Sequence, residues 1–189
     1  MSEANLAWVD VETTGLDEKK DVILEVALAI TDPHMNVLEA SSWVVDPLLK
    51  SEQEAIANMS EFVRDMHTEN GLLKEVGGMR SLVLPQIAAE FVDMLHAFDL
   101  PEPDQQSPLC GSSVSFDRKF LAEYTSVLDN FSYREINVSS FKESVQRFTP
   151  WIAFERDRTL APAKLHRALS DIHDTIDEYT FYLKKLRML

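Results

Sequence analysis

Leu6-Ala7-Trp8-Val9-Asp10-Val11-Glu12-Thr13-Thr14-Gly15-Leu16 is the stretch on which the reading of this chain turns. A short apolar run ends in two acids separated by one residue. In a strand, residues two apart point to the same face. Two carboxylates side by side repel each other unless a cation lies between them. Carboxylate oxygens suit hard ions such as Mg²⁺ and Mn²⁺. The segment therefore reads as the first half of a metal site at the end of a buried strand.

Working outward, residues 6–12 are a strand and Val22 to Ile30 a second. Ser42 to Val45 is a third, with a turn marked by Asp32-Pro33 and Met35-Asn36. Ser51 to His67 is mostly helical in character, and Leu84 to Phe98 carries helical spacing in Ile87, Phe91, Met94 and Leu95. Pro101 to Pro108 is a surface loop, too short to divide domains. Leu109-Cys110-Gly111 is a strand, Val114 to Val127 a helix, Tyr133 to Val138 a strand, and Ser140 to Phe148 a helix. The last helix places Leu165, Leu169, Ile172, Ile176, Tyr179, Leu183 and Leu186 on one apolar face. Three early strands followed by alternating helices and strands predict an α/β or α+β sandwich with a mixed sheet.

The chain has 189 residues, enough for one domain, taken as 1–189, with a sizeable core. A single cysteine, Cys110, excludes an internal disulfide and suits a reducing compartment. No apolar run approaches the ~20 residues of a membrane span. The N-terminus lacks the basic region of a secretory signal, so a cytoplasmic location is expected. The net charge of −14 argues against a protein that coats long nucleic acid through a basic face. It leaves room for a nuclease that grips a few phosphates with metal ions and local donors.

Two further acids extend the pattern. Asp117 lies in Cys110-Gly111-Ser112-Ser113-Val114-Ser115-Phe116-Asp117-Arg118-Lys119-Phe120-Leu121, and Asp171 in His166-Arg167-Ala168-Leu169-Ser170-Asp171-Ile172. An Asp-x-Glu strand, a central helical Asp and a C-terminal His-x₄-Asp together resemble the DEDDh 3′–5′ exonuclease superfamily. Asp10 to Leu16 matches its Asp-x-Glu-x-Thr-Gly-Leu phrase. Within that superfamily the chain is most similar to the oligoribonucleases, through His67-Thr68-x-x-Gly71-Leu72, Cys110-Gly111-x-Ser113, and Tyr133-Arg134 followed by Val138-Ser139-x-x-Lys142.

The resemblance implies a ribonuclease H-like mixed five-stranded sheet flanked by helices. It implies that Asp10, Glu12, Asp117 and Asp171 hold two divalent ions, Mg²⁺ or Mn²⁺, and that His166 is the general base. Two ions ~3.5–4 Å apart activate a water and stabilise the leaving oxygen. An isolated imidazole titrates near ~6.5 and so accepts a proton near neutrality. It further implies that Leu16 and Phe62 pack on the bases, that Ser113 binds the 3′-terminal nucleotide, and that Ser139 and Lys142 bind the 5′ phosphate. Tyr133 and Arg134 are then supplied to the neighbouring subunit of a homodimer. The substrate expected is short single-stranded RNA, cut from the 3′ end to 5′-mononucleotides.

The chain departs from the family pattern at four places. Phe62 stands where Trp is common, Phe116 where Gln is common and Asn137 where Asp is common. Trp151 to Pro162 does not follow the usual loop before the catalytic His. The His166–Asp171 spacing adds a constraint. Five residues on an ideal helix turn by ~500°, leaving the two side chains about 140° apart. His166 is therefore expected in a loop or first turn, with Asp171 inside the helix. Two other functions compete: an exonuclease on longer DNA or RNA, and a non-catalytic nucleic-acid-binding or scaffold protein.

Overall fold

The computed structural model describes residues 4–100, 107–159 and 165–188. In chain order the elements are β1 (Leu6–Thr13), β2 (Ile23–Thr31), β3 (Val37–Val44), α1 (Lys50–Asn58), α2 (Glu61–Glu69), α3 (Leu72–Glu75) and α4 (Leu84–Ala97). These are followed by β4 (Ser107–Gly111), α5 (Ser115–Phe120), a 3₁₀ turn (Leu121–Glu123) and α6 (Thr125–Leu128). The chain then forms β5 (Phe131–Asn137), α7 (Val138–Phe148), α8 (Pro150–Thr159) and α9 (Ala168–Lys185).

The five strands form one mixed sheet in the order β3-β2-β1-β4-β5. β1, β2 and β3 are antiparallel, whereas β4 runs parallel to both β1 and β5. β2 is buried along its whole length, which explains its nearly continuous apolar run: a strand covered on both faces has no wet side.

The two-residue alternation of β1 sorts its side chains between two layers. Ala7, Val9 and Val11 pack with Ile87, Phe91 and Leu95 of α4. Trp8 packs on the opposite face with Ala27, Ala29, Cys110 and the α9 residues Ala168, Ile172 and Ile176. The small Ala27 and Ala29 leave room for α9 against the sheet. Trp8 also donates its indole N–H to Thr31 Oγ1 at 3.0 Å, satisfying the polar atom of a fully buried ring. Continuing the alternation, Asp10 and Glu12 fall on the α9 face, and Glu25, which stands opposite Glu12 in the β1–β2 register, joins them.

Several sequence expectations shift. β3 begins at Val37, well before Ser42, because its exposed first half is carried by pairing with β2 rather than by apolar burial. Ser51 to His67 divides into α1 and α2 at Met59-Ser60, where Ser60 Oγ accepts the Val63 amide. The helix expected over Val114 to Val127 is broken into α5, the 3₁₀ turn and α6. α7 begins at Val138, directly after β5, and not at Ser140. The segment from Trp151 enters a helix, α8, while Pro162 lies outside the described residues. Of Pro101 to Pro108, Ser107 and Pro108 belong to β4 and the rest lie outside the described residues. α9 starts at Ala168, so Leu165 precedes it and is exposed, and Leu186 is its C-cap. Among the described residues, no helix is long and apolar enough to cross a membrane.

Candidate active site

The end of β1 is where the sheet opens. β4 pairs with β1 at Ala7 and Trp8 and ends at Gly111. A Cβ at Gly111 would stand 2.7 Å from the Val9 carbonyl oxygen, so only glycine lets the two strands meet this closely before they diverge. Beyond that point Asp117, from α5, reaches the strand: its Oδ1 accepts the Val11 amide at 2.9 Å.

Asp10 and Glu12 project from the same face of β1, and Asp171 projects from the first turn of α9. One carboxylate oxygen of each lies within 4.8 Å of the other two. Glu12 is buried, and its carboxyl group is raised to about 8 from the usual 4.5. Burial is the largest cause, followed by the charges of Asp171 and Glu25, while Arg167 opposes them. Burial also raises Asp117, against the pull of the Val11 amide. Three converging carboxylates, one holding its proton well above the ordinary carboxylate range, form an all-oxygen donor set that fits a hard divalent cation. Asp117 is the acid that does not join this trio; its oxygen is engaged with the strand backbone.

A cavity of 530 Å³ is lined by Asp10 and Asp171 of this trio and by further residues of α7 and α9. Ser112, Ser113, Ser139 and Lys142 also line it. Ser139 Oγ is 2.9 Å from Ser112 Oγ and 3.0 Å from Ser113 Oγ, so the three hydroxyls form one chain. Lys142 Nζ lies 3.2 Å and Arg156 Nε 3.0 Å from Glu178 Oε1 as ion pairs, and the same oxygen accepts the Tyr182 hydroxyl at 2.9 Å. The cavity wall thus carries carboxylates, hydroxyls and two cations, Lys142 and Arg156, that share the Glu178 carboxylate. Arg156 has no place in the sequence reading. Its only sequence signal is a basic residue in a segment that departs from the family pattern.

His166 and Phe62 line a second cavity, of 520 Å³, with Met66, Glu69 and Asn70. His166 stands two residues before α9 with a φ of 49°, in the left-handed region. That turn takes it out of the helical register that carries Asp171. Phe62 is 78% exposed and Leu16 84% exposed, so neither is a core residue. Leu16 is held out by a tight loop. Thr14 Oγ1 and the Asp17 amide bind the Asp21 carboxylate, which fills the space a Cβ at Gly15 would need. Tyr133 and Arg134 are exposed on β5, with the guanidinium 5.5 Å from the ring centre. They line neither of these two cavities.

Sequence reasoning assigned no role to two further groups here. His67 is fully buried, with Nε2 3.1 Å from the Thr13 carbonyl and 3.9 Å from Glu12 Oε2, and burial lowers its basicity. Glu25 is buried beneath Arg167. An acid inside the apolar run of β2 was the signal for Glu25, and the quoted His-Thr phrase was the signal for His67.

Residues 7–179 match the Exonuclease family model (RNase_T). The chain is 38% identical over 186 residues to an oligoribonuclease of Leifsonia xyli, covering 97% of this chain and 84% of that protein. It is 37% identical to the oligoribonuclease of Pasteurella multocida, covering 96% of this chain and 94% of that one. In fold it is similar to exonuclease I of Methylocaldum szegediense, with a TM-score of 0.67 at 16% identity over 96% of this chain. It is likewise similar to the zinc-bound E. coli exonuclease I complex with single-stranded DNA, with a TM-score of 0.66 at 15% identity over 97% of this chain. The chain spans 41% of each of those longer exonucleases.

Proposed function

Since the chain belongs to the oligoribonuclease family of exonucleases, and so is a 3′–5′ exoribonuclease that depends on a divalent metal, we propose that its substrates are RNAs of about two to five nucleotides, linear dinucleotides among them. The products are 5′-mononucleotides, and residues 1–189 act as one exonuclease domain. The observation that carries this reading is the 530 Å³ cavity, whose wall brings together two of the converging carboxylates, Asp10 and Asp171, with Lys142 and the serine hydroxyls.

Asp10, Glu12 and Asp171 would hold the metal, with Asp117 as the fourth acid, and the ions assigned are two Mg²⁺ or Mn²⁺. When bound, such ions supply Lewis-acid activation of water and charge stabilisation of the leaving oxygen. The remaining work falls to side chains. His166 accepts the proton of the attacking water. Ser113 orients the 3′-terminal nucleotide. Leu16 and Phe62 offer apolar surface to the bases, which every base accepts, so sequence selectivity is weak. Ser139 and Lys142 bind the 5′ phosphate. A site that engages both ends selects length, because a longer chain cannot place its 3′ end at the metals and its 5′ end at the donors together.

Tyr133 and Arg134, exposed on β5 and outside both cavities, complete the site of a second subunit, which makes the homodimer the active unit. The compartment proposed is the cytoplasm, in keeping with a lone, buried Cys110. Digestion of labelled 2-mer, 5-mer and 20-mer RNA with Mg²⁺ or Mn²⁺, with mass in solution measured in parallel, tests the reading. Expected is a dimer whose kcat/KM falls steeply with length. A monomer that digests the 20-mer as efficiently as the dinucleotide would move the assignment to an exonuclease of longer DNA or RNA, and absence of metal-dependent turnover would move it to a binding or scaffold protein.

A further inference from the structure

The backbone between His166 and Asp171 is tethered by three groups from outside its own segment. Asn70, at the end of α2, donates its side-chain amide to the His166 carbonyl. Arg167, the next residue, is extended and spreads its guanidinium between two carboxylates. Nε and one terminal nitrogen bind both oxygens of Glu25, at 3.1 and 2.9 Å. The two terminal nitrogens bind both oxygens of Glu75 at the end of α3, at 3.1 and 2.9 Å. Glu25 Oε2 also accepts the Ala168 amide, the first of α9, at 3.0 Å.

The two ends of this fork differ in kind. Glu25 is buried in the sheet opposite Glu12, and Arg167 is the cation that balances it. Glu75 is about half exposed and reaches Arg167 from a separate arm. That arm, α2 and α3, carries Phe62 and Asn70 as well. Residues 61–75 therefore bear the proposed base platform, a hold on the His166 backbone through Asn70 and a hold on the Arg167 guanidinium through Glu75. A left-handed backbone at a residue other than glycine persists only where its surroundings enforce it, and these contacts are what enforce it at His166.

We propose that Arg167 is a positioning residue for His166, and that Glu75 and Asn70 extend this control to the arm that meets the substrate base. The inference rests on the reading of His166 as general base. Arg167 touches neither substrate nor reacting atoms; it sets the backbone from which the imidazole is presented. Lysine cannot replace it, because a point charge cannot fork between two carboxylates.

The test compares Arg167→Lys and Glu75→Ala in the otherwise native protein and in a His166→Ala background, using a nucleoside 5′-phosphate p-nitrophenyl ester with Mn²⁺. Arg167→Lys should lower kcat on the order of 10- to 100-fold, the scale of small misplacements of a catalytic group, with KM within about twofold. Glu75→Ala should move kcat the same way by less. In the His166→Ala background neither should cost anything further, since a group that acts through another adds nothing once that other is gone. Calorimetric Mn²⁺ affinity should be unchanged, and amide exchange over residues 165–170 should quicken in both variants.

Equal losses with and without His166, or weakened Mn²⁺ binding, would overturn the proposal and place Arg167 in service of the carboxylates. Unchanged turnover and exchange in Glu75→Ala, which keeps the buried Glu25 pair and so the fold, would equally overturn it. If His166→Ala hydrolyses the ester as fast as the native protein, the general-base reading fails, while the exchange measurement still decides whether the tether exists.

Discussion

Asp117 and Val11 are joined by a single hydrogen bond, 2.9 Å from the strand amide to the carboxylate, at the point where β1 loses its neighbour β4. The acid that the sequence places in a metal set thus also closes the open edge of the sheet. The two roles separate by substitution. Asp117→Asn keeps an oxygen for the Val11 amide and should preserve the fold while removing the charge, so turnover should fall on the order of 100-fold or more with little change in urea midpoint. Asp117→Ala leaves a buried amide without its acceptor, which costs about 1–3 kcal/mol. Parallel denaturation and activity curves check this; a destabilised Asn variant would contradict it.

The raised Glu12 carboxyl makes the metal-free protein sensitive to pH in a defined direction. Its folded value of about 8 lies above the ordinary 4.5. Between those values the folded state holds a proton that the unfolded state has lost. Its contribution to stability is therefore full below the unfolded value and is lost as pH rises toward about 8. A cation must displace that same proton. The Tm of metal-free protein should fall between about pH 5 and 8, and Mn²⁺ should raise Tm more at about pH 8.5 than at about pH 6. Glu12→Gln should flatten both trends in thermal scans.

His166→Ala should reduce kcat by about 10²- to 10⁴-fold, the usual range for a positioned acid or base. Because His166 lies outside the trio of carboxylates that converge, calorimetric Mn²⁺ binding should be kept. Parallel loss of binding and rate would make His166 a ligand instead.

Phe62 is exposed, so Phe62→Ala should leave the urea midpoint nearly unchanged, within about 0.5 kcal/mol as for ordinary surface substitutions. Loss of one base–aromatic contact is worth about 1–3 kcal/mol, so KM for a dinucleotide should rise by about 5- to 150-fold. Unchanged KM with lowered stability would return Phe62 to a packing role.

Much of this protein is legible in its sequence because local rules act without knowledge of the rest. The alternation of β1 alone places Asp10 and Glu12 on one face, and the helical arithmetic of His166 and Asp171 keeps both off one rigid helix; in the structure His166 precedes α9 and Asp171 lies in its first turn. What tertiary structure decided depends on distant segments meeting. Asp117 turns to the Val11 amide because β4 stops short. β3 extends to Val37 because β2 supplies its hydrogen bonds. α9 begins only at Ala168, although the apolar period runs back to Leu165: Asn70 binds the His166 carbonyl, Glu25 accepts the Ala168 amide, and Glu25 and Glu75 together grip the Arg167 guanidinium. Those three residues come from three separate elements, and no periodicity along the chain connects them; only the folding of the sheet and its helical arm brings their charges and amides to one place.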